Sequence, residues 1–251
     1  LCGRYASTKN PATLAAEFDA VDATEDAIKG PDYNVAPTRH VVAVVQRHPR
    51  DDDGEPDMST TERSLRVMKW GLVPAWSKDP KSGAKMINAR SESAAEKPAF
   101  RTSWTKRRCI MPADGWYEWQ RDGKVKQPFF TTRKDGLSIA MAGLWTVWHD
   151  KEKPESPPLV TCSVLTMPAV AQIAEIHDRM PVLLPPDAWN AWLDPDSTDP
   201  AALIKPPSED FLAALELRPV SPAVNSVKNN GPELMDPVPE QDESALFDLG
   251  R

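Results

Sequence analysis

Apolar residues in the middle of this chain come in short runs separated by Gly, Pro and Asp, a pattern of strands rather than of long helices. "HVVAVVQ" (40–46) is β-branched and predicts a buried strand, and "SLRVMKW" (64–70) predicts a second, with a polar loop over 47–62 between them. "GLVPAWSKDPKSG" (71–83) is broken by Pro and Gly and predicts a long surface loop. Residues 108–145 hold three Asp-Gly pairs, at 114–115, 122–123 and 135–136, which separate apolar and aromatic runs as in an antiparallel meander. Further strands are expected at 158–166 and 179–184.

Helical signals are short. Asn10 and Pro11 suit the start of a helix over 11–19 whose apolar face is Leu14 and Phe18. Other helices are expected at 91–97 before Pro98, near 168–175, at 186–193 behind a proline, and at 208–217 behind a capping-box start. The fold class predicted is α+β: a single domain with a central, mainly antiparallel β-sheet or barrel-like core and short flanking helices. No repeat or linker divides the core. The domain is expected to span 1–232, followed by an acidic, mobile tail over 233–251.

Composition narrows the class. With 251 residues, 40% apolar and 27% charged, the chain reads as an ordinary globular protein. No run of eighteen apolar residues predicts a membrane span, and no secretory layout opens the chain, so cytoplasmic residence is expected. Three cysteines, Cys2, Cys109 and Cys162, with no CxxC, indicate neither a disulfide framework nor a zinc site, and no metal or organic cofactor is expected. The net charge of −7 argues against nucleic acid until its distribution is read: the last 21 residues carry six acids and one base. Elsewhere bases cluster, with four in "RTSWTKRR" (101–108), while "DDDGEPD" (51–57) reads as a solvated loop.

The candidate chemistry starts at Cys2. Leu1 stands where an initiating methionine is expected, which suggests an alternative start codon read literally or a cloning change, and removal of residue 1 would expose Cys2. A free N-terminal cysteine offers an amine with a reference pKa of about 7.7–8.0 and a thiol near about 8.5. An aldehyde meeting this pair forms an imine with the amine, and the thiol closes it to a thiazolidine. Taken alone, Cys2 reads as a small residue near a chain end. Glu118 lies between two aromatics in "ADGWYEWQ" (113–120), where desolvation would raise its pKa, or it is a solvent-facing strand residue. Asn88 and Arg90 share a face of the extended "MINARSES" (86–93). His177 and Arg179 stand at the entry to a strand, where His177 is either a proton shuttle or structural.

Seven blocks occur in order: "CGRYA", "YNVAPT", "WGLVPAW", "INARSE", "RCIMPADGWYEW", "IHDRMPVLL" and "VNSVKNNGPEL". From Cys2 to about Leu234 the chain resembles the SOS-response-associated peptidase (SRAP) family. The resemblance implies a DNA-repair protein that shields abasic sites in single-stranded DNA through a covalent thiazolidine crosslink. It implies Cys2 as the nucleophile, Asn88 orienting its amine, Glu118 assisting ring opening and proton transfer, and His177 shuttling protons. Arg4, Arg90 and Arg179 match phosphate-holding positions, Trp76 and Trp119 match base-stacking positions, and Pro37 and Thr166 line the same cleft. Trp145, Trp148, Trp189 and Trp192 fall outside the matching motifs and are assigned to the core. If Leu1 stayed attached, the thiazolidine could not form. "MPAV" (167–170) departs from the more polar stretch expected there. The implied partner is single-stranded DNA with abasic sites, the implied state a monomer near the nucleoid, and the activity lyase-like. The competing readings are a cysteine peptidase or N-terminal-nucleophile hydrolase, including self-removal of residue 1, and a non-covalent single-strand binder. "ESALFDL" (243–249) loosely resembles a sliding-clamp-binding peptide, or it is a tail that covers the protein's own surface.

Overall fold

A computed structural model describes residues 2–239. The strands are β1 (Arg4–Ser7), β2 (Val21–Asp22), β3 (Asp32–Val35), β4 (His40–Arg47), β5 (Glu62–Trp70), β6 (Asn88–Arg90) and β7 (Arg108–Ala113). They continue with β8 (Gly115–Asp122), β9 (Val125–Arg133), β10 (Ile139–Trp148), β11 (Leu159–Pro168), β12 (Arg179–Pro181) and β13 (Leu215–Pro219). Among the described residues five short α-helices flank them: α1 (Pro11–Phe18), α2 (Arg101–Lys106), α3 (Ala171–Ala174), α4 (Trp189–Leu193) and α5 (Glu209–Ala213). The fold is α+β with a mostly antiparallel core. Among the described residues no helix is long and apolar enough to cross a membrane.

The strands form two sheets. One has the order β13-β9-β8-β1-β3; the other runs β12-β11-β10-β7-β4-β5-β2, with β6 attached to β11. In the larger sheet β11 also returns to β5 through a parallel pairing of Thr161 with Lys69 and Cys162 with Trp70. Five strands, β5-β4-β7-β10-β11, therefore close on themselves, which removes two edges and gives the sheet an enclosed interior. Leu65, Met68, Trp70, Ile110, Met111, Leu144 and Val164 fill the core. Every residue of β7 is buried, because the strand has sheet neighbours on both sides while α2 and α4 pack against it.

The chain passes between the sheets where a meander was expected. Only the Asp-Gly pair at 122–123 joins a hairpin, β8 to β9, with Gly123 at positive φ. At 114–115 the chain leaves β7 in one sheet for β8 in the other. Gly115 is required there by a close approach: a Cβ would collide with the Thr131 carbonyl oxygen and the Phe130 ring. The pair at 135–136 likewise marks a crossing, from β9 to β10.

Two helical expectations are corrected. Residues 91–97 form turns, and the helix follows Pro98 as α2. The 208–217 pattern splits: Ser208 caps α5 by accepting from the Phe211 N–H, but Leu215 already pairs with Arg133 as the start of β13. The packed chain also runs on past residue 232. Leu234 joins a second small core with Ala6, Tyr117, Phe130, Val220 and Val224, and the Val238 N–H donates to Pro219. The clamp-like stretch 243–249 lies outside the described residues.

Candidate functional site

The site is built where the chain enters β1. Arg4 pairs with Tyr117, so Cys2 and Gly3 emerge from the ladder beside Glu118 of the neighbouring β8. Cys2 is 1% exposed and belongs to the main core. Its thiol is pushed up, first by burial and then by the negative charge of Glu118, so it holds its proton at neutral pH. Glu118 is itself 5% exposed. Burial among apolar neighbours raises its carboxyl from an ordinary 4.5 to about 7.

His177 follows α3 and faces Glu118, with Nε2 3.9 Å from Oε1. The Arg179 backbone N–H donates to Nδ1 at 3.0 Å, which puts the ring proton of the neutral tautomer on Nε2, toward the carboxyl. Asp178 Oδ1 also lies 3.0 Å from Nδ1, but this carboxylate is exposed and pairs with the ring only when the ring is protonated. Burial holds His177 below its ordinary value, which favours the neutral form. A thiol, a carboxyl that titrates near neutrality and a neutral imidazole thus stand together, the set that proton transfer requires.

Asn88 opens β6, which lies parallel to β11 with Asn88 beside Val164. Both polar atoms of its side-chain amide are buried and make no hydrogen bond among the described residues. Buried amides are rarely left so, and the group is available to a bound molecule. The same ladder sets Arg90 beside Thr166. Arg90 is exposed and makes no ion pair among the described residues. Thr166 is buried and accepts from Arg179 Nη2 at 3.1 Å. Arg179 is also buried, and its fork holds Glu92 at 2.9 and 3.1 Å. The guanidinium expected to be open to phosphate is thus already paired, through Glu92, which closes the block "INARSE" and had no assignment from sequence.

Beside Gly3 opens a cavity of about 650 Å³ lined by Arg4, Pro37, Arg39, Trp119, Lys126 and Asn225, among others. It presents three cations. Arg4 and Lys126 lie over the Trp119 ring, 5.8 and 5.4 Å from its centre, and Trp119 Nε1 donates to Asn225 Oδ1 at 2.7 Å. Arg4 also anchors the segment that covers β1, donating to the Val224 and Asn225 carbonyls and to Asn34 Oδ1. Arg39, Lys126 and Asn225 had no assignment from sequence; Asn225 stands in the block "VNSVKNNGPEL", which was a usable signal. Trp76 is 62% exposed on the loop after β5, and among the described residues no hydrogen bond or ring contact ties it to this cavity. Among the described residues no group of three or more His, Cys, Asp or Glu side chains could hold a metal ion.

A family model described as SOS response associated peptidase (SRAP) matches residues 1–227. The chain is 38% identical over 240 residues to the abasic site processing protein YoqW of Bacillus subtilis, covering 94% of this chain and 99% of that one. It is 33% identical over 248 residues to the abasic site processing protein YedK of Escherichia coli, covering 95% and 100%. A solved structure of a protein from Bacteroides thetaiotaomicron matches with a TM-score of 0.78 at 23% identity, over 94% of this chain and 100% of that one, which shows a shared fold.

Proposed function

The chain belongs to the SRAP family, and from that premise we propose that it processes abasic sites in single-stranded DNA by binding them covalently through Cys2. A ring-opened abasic deoxyribose carries an aldehyde. Once residue 1 is removed, the Cys2 amine adds to the carbonyl carbon, and the adduct loses one water to give an imine. The sulfur then bonds to the imine carbon while the thiol proton passes to nitrogen. Aldehyde and aminothiol thus become a thiazolidine and one water, with no oxidant or reductant.

Each group has a task that its environment suits. The amine, with a reference pKa of about 7.7–8.0, is partly unprotonated at neutral pH. The buried thiol keeps its proton until a base takes it during attack. Glu118, titrating at about 7, gives a proton to the departing hydroxyl and accepts one from the thiol. His177 exchanges that proton with solvent, and the unspent amide of Asn88 orients the amine. Arg4, Arg90 and Arg179 meet phosphates, with Arg179 exchanging Glu92 for the strand. Trp76 and Trp119 offer rings to bases, and Pro37 and Thr166 line the path. The same nucleophile and proton relay suit a single hydrolysis of the bond between Leu1 and Cys2.

The observation that carries this reading is the Glu118 carboxyl: it titrates near neutrality, interacts with the Cys2 thiol and faces His177. The test mixes protein whose free N-terminal Cys2 is verified by intact mass with single-stranded DNA bearing one abasic site. A heat-stable shifted band on a denaturing gel, absent for Cys2→Ala, is expected. Cys2→Ser should give only a reversible imine, trapped by borohydride. No band from the correctly processed protein would overturn the proposal.

A further inference from the structure

The basic run at 101–108 takes no part in the site above, yet it joins a second concentration of positive charge. β4 ends at Arg47, β5 carries Arg66, and α2 passes into β7 through Lys106 and Arg107. The guanidinium groups of Arg47 and Arg107 both lie over the Trp145 ring, 5.3 and 5.6 Å from its centre. Trp145 and Arg47 form the shared wall of two depressions of about 400 and 600 Å³, and Arg50 rims the larger. Neither depression shares a lining residue with the cavity beside Gly3.

These cations are not neutralised from within. Among the described residues Arg47, Arg50, Arg66, Lys106 and Arg107 make no ion pair, whereas Arg39, Arg133, Arg179 and Arg218 each hold a carboxylate within 3.1 Å. The acids of the groove and of the adjoining loop form no ion pair with these cations among the described residues. Asp196 binds His48 at 2.9 Å, Asp194 Oδ1 accepts from the Asp196 N–H, and Asp51 and Asp57 accept from N–H groups of their own loop. Glu25, on the rim of the smaller depression, is exposed. Burial holds Arg47 below its ordinary value, and repulsion from Arg50, Arg66 and Arg107 adds to this. Gathering five like charges costs free energy that an arriving anion would recover.

We propose that this groove binds the phosphodiester backbone of nucleic acid, as a second contact for the strand held at the Cys2 cleft. The proposal rests on the reading that the cleft receives DNA. A single strand carries one phosphate charge per nucleotide, a ladder that suits a row of cations crossing two adjoining depressions. Planar guanidinium groups held against a ring present their donors as forks, the geometry that phosphate oxygens accept.

The test measures equilibrium binding of undamaged single strands to the Cys2→Ala protein, which keeps binding non-covalent. Strands of about 8 and about 30 nucleotides are compared, the shorter within the reach of a single groove. The double change Arg47→Gln with Arg107→Gln should weaken the long strand about tenfold and lower its salt slope by about 1.4, at about 0.7 for each phosphate no longer neutralised. Short-strand affinity should hold. Arg66→Gln, an exposed change that spares the Trp145 contacts, should lower the long-strand slope by about 0.7 and guards against a folding artefact. Unchanged long-strand affinity and slope in both variants would overturn the proposal, as would equal weakening on both lengths. Poly-glutamate displacing the long strand at matched charge concentration, with no loss of that effect in Arg66→Gln, would also overturn it. Failure of the Cys2-bearing protein to crosslink an abasic strand would sink the earlier reading alone, because the length comparison uses undamaged DNA.

Discussion

Arg108 and Glu118 are both charged residues on strands of the core, and each is only 5% exposed, yet they are solvated in opposite ways. Arg108, at the head of β7, uses all five of its N–H groups. It donates to the carbonyls of Trp192, Trp104, Thr105, Asp194 and Ser197, at 2.7 to 3.1 Å, and lies over the Trp192 ring. Protein dipoles replace water, so the charge is kept and fastens α2, α4 and the loop after α4 to the barrel. Glu118, on β8, is desolvated with less compensation, and its proton affinity rises to the neutral range. Equal burial therefore yields a structural pin in one region and a titrating group in the other. What differs is the set of dipoles around each charge.

The largest effect is expected at Arg108. Arg108→Leu keeps the apolar bulk but takes a charged donor from five carbonyls, those of Trp192 and Trp104 in buried bonds, and should cost about 3–5 kcal/mol. Urea unfolding at neutral pH measures this, and crosslinking per folded molecule should match the parent protein. A loss under about 1 kcal/mol would mean that water replaces the guanidinium freely, and the contrast with Glu118 would fail.

Glu118 should behave the other way. Its carboxyl is raised by folding, so the folded state binds the proton more tightly than the unfolded chain does. The associated stability is fully present below about pH 4.5, falls as the pH rises, and is lost by about pH 7. The interval corresponds to about 3 kcal/mol. Glu118→Gln should flatten that dependence, unfold later than the parent above pH 7, and slow crosslinking about 100-fold. A variant that is less stable at pH 8 would identify Glu118 as a second structural pin. Asn88→Ala sharpens the same point at smaller scale. Deleting an amide that has no partner among the described residues should change stability by less than about 1 kcal/mol, while attachment slows about tenfold. A large stability loss would show that the amide is engaged in the fold.

Much of this contrast is legible in the sequence, and its limits are physical. The strands β4 and β5 and the β8–β9 hairpin follow from short β-branched and aromatic runs and one Asp-Gly turn, which are local signals. Glu118 between aromatics announces its own desolvation. Closure of the barrel by Thr161 and Lys69 is a contact between distant segments, and nothing local encodes it. An Asp-Gly pair reads the same whether the chain folds back or crosses to another sheet; at Gly115 the deciding fact is the proximity of Thr131 and Phe130. Helix periodicity over 208–217 is overridden where Leu215 finds Arg133 across β9. Arg179 looks open in the sequence because its partner Glu92 lies far away along the chain, joined to it only through the pairing of β6 with β11 and of β11 with β12.

That last pair gives the finest test of how burial divides the acids of the site. Glu92 is half-exposed, unlike Glu118, and its hydrogen bonds from Arg179 hold its carboxyl below the usual range. Its contribution is present at neutral pH and fades in acid as the carboxylate takes a proton, the reverse of the Glu118 dependence. Solvent screens it, so Glu92→Gln should cost no more than about 1 kcal/mol. The same change releases a guanidinium that the carboxylate now occupies, on a side chain whose Nε is buried without a hydrogen-bond partner among the described residues. Non-covalent binding of single-stranded DNA should therefore strengthen about two- to threefold, with a salt slope steeper by about 0.7. Weaker binding in Glu92→Gln would mean that the carboxylate positions Arg179 for the strand instead of competing with it, and the pair would then act as one recognition unit.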